Sequence, residues 1–115
     1  MMSSRGEVKI HEILTEANLN FKEEYTFPNL CSSNGRPLRF DFVIFDDDDN
    51  IDFIIEYQGK QHYEAIEYFG GEDTLLYTQY HDRIKLEYCT ANNIVLICIP
   101  YWEDVNECLN KNLLI

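Results

Sequence analysis

The sequence is poor in basic residues and has no long hydrophobic run. Nine lysines and arginines stand against 21 aspartates and glutamates, which gives a formal net charge of −12. Because nonspecific affinity for nucleic acid comes from lysine and arginine on phosphates, such a surface is on the whole repulsive to nucleic acid. A membrane-spanning helix needs about 20 consecutive apolar residues, and none are present, so we expect no membrane partner. The N-terminal segment MMSSRGEVK lacks the apolar core of a secretory signal.

Cysteine is also sparse, and its positions are widely spaced. Cys31, Cys89, Cys98 and Cys108 form no CxxC pair, whereas a structural zinc site needs closer pairs together with histidine. Free thiols in a reducing intracellular compartment are the simpler interpretation, and a zinc site is the alternative. With 45% apolar residues, the chain is long enough for one buried core, so we expect a single domain over residues 1–115.

Hydrophobic periodicity predicts the element order α-β-β-β-α-β-α, an α/β fold with a mixed central sheet. The predicted helices cover residues 4–18, 72–91 and 103–113, and the predicted strands cover 21–27, 38–45, 51–57 and 94–100. Ser4 and Glu7 form a capping box at the first helix. Pro28 is predicted to end the first strand, so that residues 28–37 form a loop. Residues 60–71 are expected to be irregular or briefly helical.

The segment IIEYQGKQHYE, residues 54–64, begins as an interior strand and then places a carboxylate where an apolar residue is expected. If the second and third strands form a hairpin with Asp46 opposite Ile51, then Asp41 lies directly across from Glu56. Directly opposed residues have Cβ atoms about 4.5–5.5 Å apart on one face of the sheet. The hairpin therefore predicts two carboxylates close together in a covered sheet.

Two adjacent carboxylates are destabilising unless one is protonated or a cation is bound. A hard divalent cation fits best, because Mg²⁺ is bound by few carboxylates together with waters and phosphate. Two alternatives account for the same residues without a metal. A bulge could shift the register, or one carboxylate could pair with Arg39.

Five short motifs occur in a fixed order along the chain: Gly6-Glu7, RFDF at 39–42, IEYQGKQHY at 55–63, His81-Asp82 with Lys85, and Ile99-Pro100-Tyr101. Together they resemble the PD-(D/E)XK nuclease superfamily, in particular a branch of phages and large DNA viruses related to homing endonucleases and very-short-patch repair endonucleases. That resemblance covers about residues 4–102 and implies a restriction-endonuclease-like core, α-β-β-β-α-β, followed here by a C-terminal helix. One departure concerns Gln58, which stands where the superfamily has lysine.

The resemblance implies a Mg²⁺-dependent DNA endonuclease in which Mn²⁺ can substitute. Its metal ligands would be Asp41, Glu56 and the backbone carbonyl of Tyr57. The metal would polarise the phosphoryl oxygen during phosphodiester hydrolysis. Gln58 cannot act as a base, but it can orient the attacking water through hydrogen bonds. Together with these residues, the implied catalytic set is completed by His62, Glu7 and Asp82.

Each of the remaining candidates has an ordinary structural interpretation as well. His62 could pass a proton to or from the water or the leaving oxygen, or it could be a surface histidine in a loop. Glu7 could be an outer metal or water ligand, or only a helix cap, and the two roles are compatible. Asp82 and Lys85 could both face the end of the sheet, or they could form an i,i+3 salt bridge.

A small basic rim is expected around the metal, with the rest of the acidity facing away from DNA. Its members are Lys9, Lys60, Arg83 and Lys85. The chain has no room for a separate DNA-reading module, so specificity would come from a homodimer, an additional DNA-recognition domain or a partner protein. The resemblance implies a phage- or virus-infected cell as the setting. The alternative function is a catalytically silent nuclease fold that binds protein or DNA structures.

Overall fold

The computed structural model describes residues 4–67 and 70–113 of the chain. Three α-helices and four strands are present in this part. The helices are α1 (Arg5–Glu16), α2 (Gly71–Ala91) and α3 (Val105–Leu113). The strands are β1 (Asn20–Cys31), β2 (Pro37–Phe45), β3 (Ile51–Gln58) and β4 (Val95–Pro100). The predicted order is confirmed, with a 3₁₀ turn at Lys60–His62 in the link after β3; residues 68–69 of that link lie outside the described part.

The four strands form one mixed sheet in the order β1-β2-β3-β4. β1, β2 and β3 pair antiparallel, while β3 and β4 pair parallel, with α2 as the crossover between them. One face of the sheet packs against α1 and α3, and the other packs against the C-terminal half of α2. The sheet is therefore covered on both faces, which explains why β2 and β3 are apolar at consecutive positions.

Local side-chain caps set where two of the helices begin. At α1 the Ser4 side chain accepts from the Glu7 backbone N–H, and Glu7 accepts in return from Ser4, so the capping box is confirmed. At the start of α3 the Asp104 carboxylate accepts from the backbone N–H of Glu107 at 2.9 Å. This cap places the start of α3 at Val105, two residues later than predicted.

The prediction that Pro28 ends the first strand is wrong. β1 continues to Cys31, and the loop that follows is confined to residues 32–36. β1 is an edge strand, and an edge strand tolerates proline because one row of its N–H groups has no ladder partner. The pairing of β1 with β2 is irregular between Thr26 and Cys31, the segment that contains the proline.

The hairpin of β2 and β3 has the expected register along most of its length but not at its tip. Phe42 pairs with Ile55 and Ile44 pairs with Phe53, as the sequence predicts, whereas Ile51 pairs with Phe45 and not with Asp46. A register shift next to the turn absorbs the difference. The ladder ends at the pair Phe42 with Ile55, and Asp41 and Glu56 are the next residues of their strands beyond it.

Two further expectations concern the membrane and the cysteines. In residues 4–67 and 70–113, none of the helices combines the length and the hydropathy that crossing a bilayer requires. All four cysteines are free thiols. Burial and the nearby Glu56 carboxylate raise the pKa of Cys89 to about 11, so this residue is a protonated, buried thiol at neutral pH.

Candidate functional site

Two carboxylates cross between β2 and β3 at the point where the pairing of these two strands ends. The backbone N–H of Asp41 donates to Glu56 Oε2 at 2.8 Å, and the backbone N–H of Tyr57 donates to Asp41 Oδ2 at 2.8 Å. The last confirmed ladder pair, Phe42 with Ile55, lies directly before this point. Each side chain thus satisfies a main-chain donor of the other strand. The sequence-predicted juxtaposition of Asp41 and Glu56 is present.

The pair lies in a poorly solvated environment. Glu56 is only 5% exposed, and Asp41 is half-buried. Burial raises the pKa of Asp41 to about 8, and the Glu56 carboxylate adds to the rise, whereas the hydrogen bond from the Tyr57 N–H opposes it. Near neutral pH and without a bound cation, Asp41 therefore keeps its proton, and it faces the buried Glu56 side chain.

Lys85 reaches the site from the middle of α2. Its Nζ atom lies 2.6 Å from Glu56 Oε1, and the two side chains are 15% and 6% exposed. The same ammonium lies 5.4 Å from the centre of the Phe40 ring. Lys85 is thus directed into the site, and of the two interpretations the i,i+3 salt bridge with Asp82 is not the one found, because Lys85 pairs with Glu56. A buried ion pair of this kind gives Glu56 a fixed counter-charge.

Asp82, one turn earlier on α2, pairs instead with His62. Asp82 Oδ2 accepts from His62 Nδ1 at 2.8 Å, with side-chain exposures of 22% and 17%. The Gln79 side chain donates to the His62 carbonyl at 3.3 Å. An aspartate that accepts from Nδ1 fixes the tautomer and ring orientation of a histidine and leaves Nε2 for proton exchange. His62 is therefore a held side chain rather than a loose loop residue.

Gln58 is held by aromatic residues on both sides of the strand end. The Tyr63 hydroxyl donates a short hydrogen bond to Gln58 Oε1. Burial raises the pKa of Tyr63, which keeps the phenol protonated and able to donate. The backbone N–H of Tyr101 donates to the Gln58 carbonyl at 2.9 Å. With its oxygen occupied by Tyr63, the amide of Gln58 offers its NH₂ group to any further ligand.

The N-terminal turn of α1 approaches this end of β3 closely. A Cβ atom at Gly6 would lie 2.2 Å from the Tyr57 ring, so only glycine fits without moving the ring. The neighbouring Glu7 makes the capping hydrogen bonds, and its charge adds slightly to the raised pKa of Asp41. Glu7 therefore serves as a cap and also lies within electrostatic reach of the two carboxylates.

The other members of the expected basic rim have exposed side chains. Lys60 is 58% exposed and lies 3.9 Å from Glu64, a weak surface contact. Lys9 and Arg83 are exposed as well. Of the four expected rim residues, Lys85 alone is turned inward, where its charge acts on Glu56 and is less open to a phosphate.

The ligand set for a metal is small. In the part of the chain that the structure describes, no three histidine, cysteine, aspartate or glutamate side chains form a group that could hold a metal ion. Two carboxylates and a backbone carbonyl still suit Mg²⁺, which is commonly bound through one or two carboxylates, waters and substrate phosphate. Burial is the first cause of the raised pKa of Asp41 and the Glu56 carboxylate is the second, so a bound cation would lower that pKa.

Sequence reasoning missed the Lys85–Glu56 pair and an exposed aromatic cluster at the same end of the sheet. The cluster consists of Tyr63, Tyr101 and Trp102. The segment IPYW, residues 99–102, carried a signal for it, because its two aromatic residues directly follow the last strand, where the chain leaves the sheet. The ion pair joins residues 29 positions apart, and no local spacing indicates it.

Comparisons with known proteins give two viral relatives. The chain is 40% identical over 48 residues to "Uncharacterized protein 033L" of Invertebrate iridescent virus 3, which covers 41% of this chain and 25% of that protein. It is also 40% identical over 48 residues to "Uncharacterized protein 307L" of Invertebrate iridescent virus 6, covering 24% of that protein. The match spans about a quarter of the length of these curated relatives. No family model and no solved structure matches the chain.

Proposed function

We propose that the protein is a metal-dependent DNA endonuclease whose centre is the pair Asp41 and Glu56. The observation that carries the proposal is the crossing of these carboxylates between β2 and β3, with the pKa of Asp41 raised to about 8. A carboxyl group whose pKa is strongly raised by burial and by a specific charged neighbour is typical of functional sites. The resemblance in motif order supports phosphodiester hydrolysis as the reaction, and the similarity to iridescent virus proteins fits a virus-infected cell.

Mg²⁺ would be held by Asp41, Glu56 and the carbonyl of Tyr57, with substrate phosphate completing the ligand set. When bound, it supplies polarisation of the phosphoryl oxygen and neutralises charge on the phosphate. Because so few protein ligands contribute, we expect weak binding of the metal alone and tighter binding together with DNA. Mn²⁺ should substitute, since carboxylate and carbonyl oxygens suit it as well.

The remaining side chains have roles that follow from their contacts. His62, oriented by Asp82, is the candidate for moving a proton at Nε2. The NH₂ group of Gln58 can orient a water while Tyr63 holds the amide oxygen. Lys85 holds the Glu56 side chain in place through their contact. Lys9, Lys60 and Arg83 are the exposed cations that could contact phosphates.

The test is nicking of supercoiled plasmid with Mg²⁺ or Mn²⁺ by the native protein and by Asp41→Asn. Asparagine can still accept from the Tyr57 N–H, so this variant should fold and yet lose cleavage. Asp52→Asn, at an exposed aspartate on the same strand as Glu56, is the matched control and should retain full activity. Cleavage at an equal rate by native protein and Asp41→Asn would rule out this centre.

A second candidate is a catalytically silent fold that binds a protein or a DNA structure. The Lys85–Glu56 ion pair favours it, because a lysine already neutralises one of the two carboxylates. The net charge of −12 favours it as well. A titration of Mn²⁺ or Ca²⁺ separates the two functions, since a ligand that binds only the native state must raise its melting temperature. Unchanged melting at millimolar metal, with DNA present, would favour the silent fold.

A further inference from the structure

Three aromatic side chains form an exposed cluster beside the carboxylates, and we call it the aromatic platform: Tyr63, Tyr101 and Trp102. The Tyr63 and Trp102 ring centres are 4.6 Å apart, and those of Tyr101 and Trp102 are 5.2 Å apart. Tyr63 and Tyr101 are each 37% exposed, and Trp102 is 60% exposed. Large aromatic side chains that are clustered and exposed to this extent indicate a binding surface.

Hydrogen bonds tie the platform to the candidate site. Tyr63 donates to the Gln58 side chain, and the Tyr101 N–H donates to the Gln58 carbonyl. Gln58 is two residues beyond Glu56 on β3, which is about 6–7 Å along a strand. That separation is comparable to the distance between a nucleotide's phosphate and its base. A phosphate beside Asp41 and Glu56 would therefore bring the adjacent base to the platform.

The net charge of the protein restricts how it can bind nucleic acid. With a net charge of −12, phosphate contacts contribute little affinity, so a different attraction has to hold the nucleic acid. Stacking of bases on aromatic rings supplies an attraction that is independent of phosphate charge and tolerant of sequence. In an intact duplex both faces of each base are already stacked, whereas an unpaired base offers its faces to a protein.

We infer that the platform of Tyr63, Tyr101 and Trp102 stacks the base of an unpaired DNA nucleotide next to the phosphodiester at Asp41 and Glu56. The inference rests on the proposed function and narrows its substrate to single-stranded or locally unpaired DNA. Affinity should depend only weakly on salt, because stacking, rather than counterion release, supplies most of it.

Trp102 is the sole tryptophan of the chain, so its fluorescence reports directly on the platform. Oligo(dT) is titrated into the Asp41→Asn protein with Ca²⁺, beside the matched duplex and an abasic oligomer that has the same phosphates. Oligo(dT) should quench the fluorescence, and the duplex and the abasic oligomer should not. Equal quenching by the abasic oligomer would overturn the inference, as would a preference for duplex.

A labelled oligo(dT) then measures affinity by anisotropy for two variants. Trp102→Ala should weaken binding by roughly 5- to 150-fold, the loss expected for one stacked base. Val95→Ala is the matched control, because Val95 is 59% exposed and lies at the opposite end of β4 from Trp102; it should bind like the parent protein. Unchanged affinity in Trp102→Ala would refute the platform. The platform would also be refuted if the parent protein and Val95→Ala sediment as dimers while Trp102→Ala sediments as a monomer.

The two proposals fail in different ways. If oligo(dT) binds through Trp102 but no plasmid or oligonucleotide is cleaved, the endonuclease fails and the platform stands as a binding surface. If the native protein cleaves duplex DNA and Trp102→Ala cleaves it at the same rate, the endonuclease stands and the platform has no part in substrate recognition.

Discussion

The stability of the metal-free protein should fall as pH rises from about 5 to 8, and Asp41 should be the main cause. Its pKa is about 8 in the folded protein against a reference value of 3.8. Between these values the folded protein keeps a proton that the unfolded chain has released. The contribution of Asp41 is therefore fully present below the unfolded pKa and is lost as pH rises through the folded pKa.

The size of the effect follows from the linkage of proton binding and folding. One proton retained by the folded state alone lowers the free energy of unfolding by about 1.4 kcal/mol for each pH unit. From pH 5 to pH 7 the loss is therefore roughly 3 kcal/mol. Asp41→Asn removes the titrating group but keeps an oxygen for the Tyr57 N–H. The free energy of unfolding of this variant should therefore lack this contribution to the pH dependence.

Urea unfolding at pH 5, 6, 7 and 8 without divalent ions measures the difference. The free energies of the native protein and Asp41→Asn should separate with rising pH, whereas Asp52→Asn should follow the native protein. Added Mn²⁺ should restore stability at pH 8 more than at pH 5, because a metal competes with the proton on Asp41. Parallel curves for native protein and Asp41→Asn would refute the raised pKa and the reasoning built on it.

Three other changes have definite expected outcomes. Lys85→Met leaves the buried Glu56 carboxylate without a cation and should lower the free energy of unfolding in urea by about 3–5 kcal/mol. Adding Glu56→Gln to this variant should recover part of that loss, and no recovery would contradict the ion pair. Gly6→Ala should push the Tyr57 ring aside and cost about 1–3 kcal/mol, with native-like unfolding as the opposing result. Gln58→Lys restores the superfamily residue and should retain or increase plasmid nicking, whereas loss of nicking with folding intact would show that the amide is required.

The parts of the fold that the sequence predicted are those that local chemistry decides. The capping box at Ser4 fixes the start of α1 through contacts three residues apart. The hairpin of β2 and β3 follows from two apolar runs around a polar turn, whose Asp46 side chain accepts from the backbone N–H groups of Asp48 and Asn50. The meeting of Asp41 and Glu56 was predictable from this hairpin as well, although the predicted pair at the tip is not formed and a register shift next to the turn restores the expected pairing.

The parts that it did not predict depend on position in the sheet and on distant contacts. A proline such as Pro28 would end a central strand but does not end an edge strand. The sequence alone does not say that β1 is at the edge of the sheet. Lys85 could have paired with Asp82 on its own helix, but the parallel crossover brings α2 over the end of β3 and offers Glu56 instead. The platform likewise joins the turn after β3 to the loop after β4, segments that meet only in the folded sheet.

The hydrogen bonds between β2 and β3 account for oxygen acceptors at positions 41 and 56, but they do not account for the choice of carboxyl groups there. Asparagine and glutamine would accept from the same main-chain N–H groups without repelling each other. The charge of Glu56 has a structural explanation, because Lys85 lies 2.6 Å away. Asp41 has no comparable cation within the described residues, and its pKa, raised to about 8, leaves it protonated near neutral pH unless a cation binds. Asp41 is therefore the residue whose identity folding explains least, and its replacement by asparagine separates a structural acceptor from a functional carboxylate most directly.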